Sequence, residues 1–306
     1  MSDDQGFAAF EDVGIAERDK PPFVRLPDPR SLFGLRAMRF TALAPGHQLE
    51  PYLQFLAALS QAQDKLAGEI AAPALPGFDE QRRRAAHAMP PLPREELIDD
   101  PATDAAFARL IELIEPVAMP ELARAALTRI AAADMEARRA MFAAVLGDAV
   151  PVEAVAEHIF AAAALQVVAA LRTARLDALL PQPVADGVCP CCGGAPVTSA
   201  VVGTANIEGV RYVQCSLCAA QWNHVRVKCV SCGSTKGIAY QEIEGVADTI
   251  KAETCDECRT YVKILNQRKD PELEPVADDV ASLGLDILVT EAGWRRAGVN
   301  PFLLGY

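Results

Sequence analysis

Cys189-Pro190-Cys191-Cys192, Cys215-Ser216-Leu217-Cys218, Cys229-Val230-Ser231-Cys232 and Cys255-Asp256-Glu257-Cys258 decide how this chain is read. They are four Cys-x-x-Cys pairs. Twenty-two residues separate Cys192 from Cys215, and 22 separate Cys232 from Cys255, so the pattern C-x2-C-x22-C-x2-C occurs twice, offset by 40 positions. Thiolates three positions apart on a tight turn grip one metal ion, and two such turns complete a tetrahedron of sulfur that suits zinc or iron. Gly193 and Gly233 follow the second cysteine of a pair, where glycine tolerates a left-handed backbone. Between the pairs, Val197, Ser199 and Val201 alternate and are followed by Val210 and Tyr212. Ile238, Tyr240 and Glu242 repeat the pattern ahead of Lys251. Each gap therefore predicts a β-hairpin that carries the second turn back to the first.

Chain order places Cys189, Cys192, Cys215 and Cys218 in one site, and Cys229, Cys232, Cys255 and Cys258 in the other. An interleaved pairing is the alternative, and the equal offset favours the simple one. Cys191, whose repeat equivalent is Ser231, is read as a non-ligand. Four matched pairs argue against redox disulfides, and the spacing is not that of a [4Fe–4S] ferredoxin. Zinc is the common structural ion for such a pattern, but iron accepts the same four thiolates. His224 is assigned to packing or to a hydrogen bond beside the site. Trp222 and Tyr261 are assigned to equivalent places in the two ribbons. The basic residues of the module, among them Arg211, Arg226, Lys228, Lys251 and Lys263, are expected to be offset by thiolate charge.

The 306 residues, 51% of them hydrophobic, supply a helical core that needs no metal. The cysteine segment is too small and polar to fold well without its ions. A formal charge of −12 argues against a general nucleic-acid binder, which needs a basic footprint. The first 20 residues lack the pattern of a secretory signal, and the apolar run Ile159–Leu171 falls short of the roughly 18 residues of a membrane span. No direct membrane insertion is expected. Nine cysteines in such a chain fit a reducing cytoplasm, where clustered pairs hold metal rather than form disulfides.

The chain divides into a tail (1–29), a helical domain (30–183), tandem four-cysteine ribbons (184–269) and a C-terminal helix and tail (270–306). The fold class is thus a mainly α N-terminal domain followed by small β modules. Asp28-Pro29 opens a first helix with Phe33, Leu35, Met38 and Leu43 on or near its inner face, and Pro51 stands near the start of a second. The prolines of 71–101 mark a loop region, in which Arg82-Arg83-Arg84 reads as a solvated basic face. Further helices are expected over 103–115, capped by Thr103 or Asp104, over 121–147 with Leu122 and Met135 inward, and over 152–180. Asp278 and Asp279 read as acidic residues at a helix N-terminus, and Leu283, Leu285, Ile287 and Leu288 as the packed side of that helix.

On these residues the sequence resembles the bacterial formate dehydrogenase accessory protein family, FdhE, over nearly its whole length. The most specific matches are Cys189-Pro-x-Cys192-Gly, Arg211-Tyr212-x-x-Cys215-x-x-Cys218 with Trp222, Lys228-Cys229-x-x-Cys232-Gly, and Cys255-x-x-Cys258 with Tyr261 and Lys263. Ala277-Asp278-Asp279-Val280, Leu283, Leu285-Asp286 and Asn300-Pro301-Phe302 agree as well. The resemblance implies a cytoplasmic, non-enzymatic protein that binds the catalytic subunit of respiratory formate dehydrogenase during its maturation or activation. It also implies rubredoxin-like cysteine sites that bind iron, which sets iron level with zinc for the two expected ions. A redox protein acting on that subunit is the alternative, and a nucleic-acid-binding ribbon the less favoured one.

Overall fold

The computed structural model describes residues 21–204, 207–245 and 247–303. The loose tail expected over residues 1–20, and the last three residues of the C-terminal tail, lie outside them. A two-residue strand, β1 (Val24–Arg25), leads into seven helices: α1 (Pro29–Leu43), α2 (Glu50–Glu69), α3 (Phe78–Ala86), α4 (Pro101–Ile114), α5 (Glu121–Ala131), α6 (Met135–Leu146) and α7 (Val155–Thr173). The sheet strands follow: β2 (Pro196–Thr204), β3 (Ile207–Cys215), β4 (Gln221–Asn223), β5 (Ile238–Gln241), β6 (Ile250–Cys255) and β7 (Thr260–Asn266). Two short helices, α8 (Ala277–Ala281) and α9 (Leu283–Glu291), and the strand β8 (Arg295–Arg296) close the described chain.

Local chemistry sets the helix boundaries. Asp28 caps α1 by accepting a hydrogen bond from the Arg30 N–H, with Pro29 in the first turn. Asp100 and Pro101 repeat the device on α4, where the Asp100 carboxylate accepts from the Ala102 N–H at 2.8 Å. The cap is therefore Asp100, not Thr103 or Asp104, and Thr103 is buried inside the helix. Asp100→Ala is expected to cost about 1 kcal/mol, read as a lower urea midpoint; an unchanged midpoint would show that the cap carries no stability.

Several expectations for the helices are corrected. The segment 121–147 is two helices rather than one, because the Asp134 carboxylate captures the Ala137 N–H at 2.9 Å and starts α6 afresh. Leu122 (79% exposed) and Met135 (55%) consequently face outward. The last long helix stops at Thr173, and Leu176 is buried in the turn beyond it. The region 71–101 is not all loop: the proline-free stretch Phe78–Ala86 forms α3 with Arg82–Arg84 on it, and Arg94–Ile98 forms a 3-10 turn. Leu35 and Met38 on α1, and Ile287 and Leu288 on α9, are also exposed rather than packed.

Helix α7 is the axis of the helical region. Fifteen of its 19 residues are buried, and α2, α4, α5 and α6 pack around it. Its alanines allow that close approach on every side. With the preceding 3-10 turn, the segment Val152–Thr173 is long and apolar enough to cross a membrane, contrary to the shorter run read from the sequence. Yet 72% of its apolar window is buried against its own protein, so its apolar surface is already used.

The strands form one continuous sheet in the order β1-β4-β3-β2-β7-β6-β5, with β8 alongside β7. β2 and β3 form the first hairpin, and β5 and β6 the second, as the alternating gaps predict. A parallel pairing of β2 with β7, Ser199 opposite Ile264, fuses the two ribbons. β1 joins the far edge through Val24 opposite Trp222, within the segment 1–29 expected to be a tail. A buried polar chain fastens helices to sheet. Arg36 donates to Glu274 (3.1 Å) and to Gln166 (3.3 Å), Gln63 donates to Gln166 (3.1 Å), and Gln166 donates to the Ser216 carbonyl at 2.8 Å.

Candidate metal centres

The four Cys-x-x-Cys pairs adopt the same turn. The residue after each second cysteine has a left-handed backbone: Gly193 (φ 79°), Ala219 (58°), Gly233 (73°) and Arg259 (55°). Two of these positions are not glycine, so only half of the signal was legible as glycine in the sequence. In the first turn the Cys189 N–H donates to the Gly194 carbonyl at 2.9 Å, and in the third the Cys229 N–H donates to the Ser234 carbonyl at 2.8 Å. These bonds fix the loop that aims both sulfurs of a pair to one side.

The hairpins then bring the turns together in chain order. The sulfurs of Cys189, Cys192, Cys215 and Cys218 lie within 4.8 Å of one another, and so do those of Cys229, Cys232, Cys255 and Cys258. Sγ of Cys189 is 3.7 Å from that of Cys218, and Cys192 is 3.5 Å from Cys215. In the second cluster Cys229–Cys258 and Cys232–Cys255 are each 3.8 Å apart. A metal with bonds of about 2.3 Å to four sulfurs holds those sulfurs about 3.8 Å apart. Disulfide sulfurs would sit at about 2.05 Å. Both clusters are able to hold a metal ion, and the interleaved pairing does not occur. Cys191 is buried outside the first cluster, with its carbonyl accepting from the Leu92 N–H at 3.1 Å.

Burial and crowding shift the thiols unequally. Burial drives the thiols of Cys189 and Cys218 well up. In the second cluster burial pushes Cys229 up to about 12. Burial works to raise Cys258 too, but hydrogen bonding with the Thr260 hydroxyl and the neighbouring sulfurs outweighs it and brings the thiol down to about 7. Four thiolates packed this closely are tolerated only around a positive charge.

Near the clusters the remaining assignments resolve. His224 points its Nε2 at the Lys228 carbonyl, 3.0 Å away, and stands outside both sulfur clusters. Trp222 and Tyr261 are buried on the strands that follow the second and fourth turns. Arg211, Lys228, Lys251 and Lys263 are each paired with carboxylates. Arg211 donates twice to Glu253, at 2.8 Å each, with both side chains buried, and Lys228 pairs with Asp186 at 2.7 Å.

Sequence reasoning missed a buried ionic cluster. Lys263 and Arg296 both pair with Asp279 and Asp286, Tyr261 donates to Asp286 at 2.8 Å, and Asn300 donates to Asp279 at 2.7 Å. Arg39 of α1 grips Asp278 through two hydrogen bonds of 2.8 and 2.7 Å. Asp278 and Asp279 do stand in the first turn of a helix, but their partners are side chains from other elements. The resemblance singles out Tyr261, Lys263, Asp278, Asp279, Asp286 and Asn300 of this set, but not Arg296.

Family models match most of the chain: "FdhE, N-terminal" over residues 21–186, "FdhE, central domain" over 188–226 and "FdhE, C-terminal domain" over 227–303. The chain belongs to the FdhE family. A relative from Rhizobium meliloti (strain 1021), "Protein FdhE homolog", is 46% identical over 289 residues, which are 94% of each chain. A second FdhE homolog, from Stutzerimonas stutzeri (strain A1501), is 36% identical, also over 94% of each chain. The crystal structure of the FdhE protein from Pseudomonas aeruginosa superposes with a TM-score of 0.83 at 32% identity, covering 93% of this chain and 99% of that one. The boundary between the central and C-terminal FdhE models falls at 226/227, between the two sulfur clusters, so each cluster lies in its own FdhE segment.

Proposed function

We propose that the chain is a cytoplasmic, non-enzymatic accessory protein that binds the catalytic subunit of respiratory formate dehydrogenase during its maturation or activation. Its two centres would each hold one iron or zinc ion, through Cys189, Cys192, Cys215 and Cys218 and through Cys229, Cys232, Cys255 and Cys258. The observation that carries this reading is the FdhE match spanning residues 21–303, with eight cysteines gathered into two sets of four sulfurs within 4.8 Å of one another. The ions would hold the ribbon segment 184–269 in shape, and the helical segment 30–183 gives it a rigid base. Affinity capture with the formate dehydrogenase catalytic subunit, and elemental analysis of protein purified without oxygen, test the two halves. Retention of the subunit and two ions per chain are expected. Failure of metal-loaded protein to bind would overturn the partner, and fewer than two ions per chain would overturn the centres.

A rubredoxin-like redox role is the second reading. It is favoured by the second cluster, where Cys232 is exposed and Cys258 half-buried. Four thiolates around iron support one-electron exchange without a change of ligands. A colourless, zinc-only protein from native cells would exclude it.

A further inference from the structure

The two clusters repeat in sequence but not in surroundings. All four sulfurs of the first belong to residues no more than 5% exposed, and Cys189, Cys192, Cys215 and Cys218 are part of the main hydrophobic core. The helical region seals it. Pro90 lies so close to Gly193 that a Cβ there would stand 3.2 Å from its ring. The Leu92 N–H holds the Cys191 carbonyl, Gln166 holds the Ser216 carbonyl, and Leu217 is buried beside them. No cysteine of the second cluster belongs to that core. The position 40 residues after Leu217 is Glu257, which is exposed, as is Asp256 beside it. Buried Ala219 is matched by exposed Arg259, and buried Cys192 by exposed Cys232.

A four-coordinate ion exchanges when an incoming donor reaches it between its ligands and briefly adds to them. That demands a path past the sulfurs. The first cluster offers the poorer one: its four cysteines are at most 5% exposed, and the cavity that touches its second turn is lined by Ser216 and Leu217 rather than by the cysteines. The second is open on the Cys232 and Cys258 side. Exposed Asp256 and Glu257 lie in that turn, and Asp186, paired with Lys228, lies against Gly233 of the other.

On the reading that each cluster holds one ion, we propose that the centres are kinetically inequivalent. The first is a permanent structural centre. The second is an exchange site that small thiol or carboxylate chelators reach past Cys232. Residues outside the ligand set thus decide the difference, since the shell around a site governs access to it.

The test uses full-length protein loaded with two equivalents of zinc and challenged with excess 4-(2-pyridylazo)resorcinol. Parallel samples are alkylated with iodoacetamide and mapped by peptide mass spectrometry. One equivalent should leave at least about tenfold faster than the other. Alkylation should be found first at Cys232 and Cys258, while the four cysteines of the first cluster stay protected. Cys232→Ser should remove the fast phase and leave the slow one unchanged. If that variant fails to fold, the labelling order in the unaltered protein decides. Two bound ions released at a single rate, or first labelling at Cys189–Cys218, would overturn the proposal while leaving the two-centre reading intact. Fewer than two zinc ions bound would overturn that reading and the proposal with it.

Discussion

Asp279→Asn is expected to destabilise the protein by about 3–5 kcal/mol, the cost of removing one partner from a buried ionic set. The side chains of Lys263 and Asp279 are fully buried, and Arg296 and Asp286 nearly so. The substitution keeps the shape and removes one of two negative charges, leaving two cations to share Asp286. Against a typical stability of about 5–15 kcal/mol that is a large fraction. Chemical denaturation followed by circular dichroism reads it directly, and a loss below about 1 kcal/mol would show that the cluster is not held by charge balance. The double replacement Lys263→Met with Asp279→Leu should be far milder than Asp279→Asn, because it removes a pair rather than orphaning a charge. The acid limb should follow as well. Burial works to raise the Asp279 carboxyl, but Arg296 and Lys263 outweigh it and hold it below the ordinary range. A depressed carboxyl adds stability that is complete above its unfolded pKa of about 3.9 and is lost as pH falls through its lower folded value.

Cys218→Ser should be the other severe change, with little folded protein accumulating. Structural zinc sites contribute an apparent 10–16 kcal/mol or so of binding that is also folding energy. In the first cluster the ligands are embedded in the core shared with the helices, so loss of the ion loosens the ribbon and the helical packing together. Cys258→Ser, at the equivalent position 40 residues on, should leave the helical signal and its melting transition largely in place. Soluble yield and thermal melts of the two variants check this. Equal damage at both positions would contradict the unequal embedding of the clusters.

What the sequence disclosed and what it hid follow from the range of the forces involved. A Cys-x-x-Cys turn and its returning hairpin are local, so spacing and alternation were enough to place all eight sulfurs. The pairing of β2 with β7 was not legible, because nothing in Ser199 announces Ile264 as a neighbour. Arg211 and Lys263 read as cations offset by thiolate charge, Asp278 and Asp279 as helix-end acids, and Arg36 carries no signal of its own. They are buried because each meets an opposite charge contributed from elsewhere in the chain, Glu274 lying 238 positions from Arg36 and Glu253 lying 42 from Arg211. The break between α5 and α6 is hidden in the sequence because Ala131–Ala133 favour helix, whereas the cap that starts α6 depends on one carboxylate, Asp134.

The pairing of Val24 with Trp222 has a consequence for synthesis on the ribosome. The partner strand is made 198 residues after β1, which at about 5–20 residues per second is a delay of roughly 10–40 s. The Arg36 and Arg39 side chains wait longer still, since Glu274 and Asp278 emerge near the end of translation. Throughout that interval α1 carries two cations whose buried partners do not yet exist. The helical half is therefore a provisional structure until the last part of the chain is delivered.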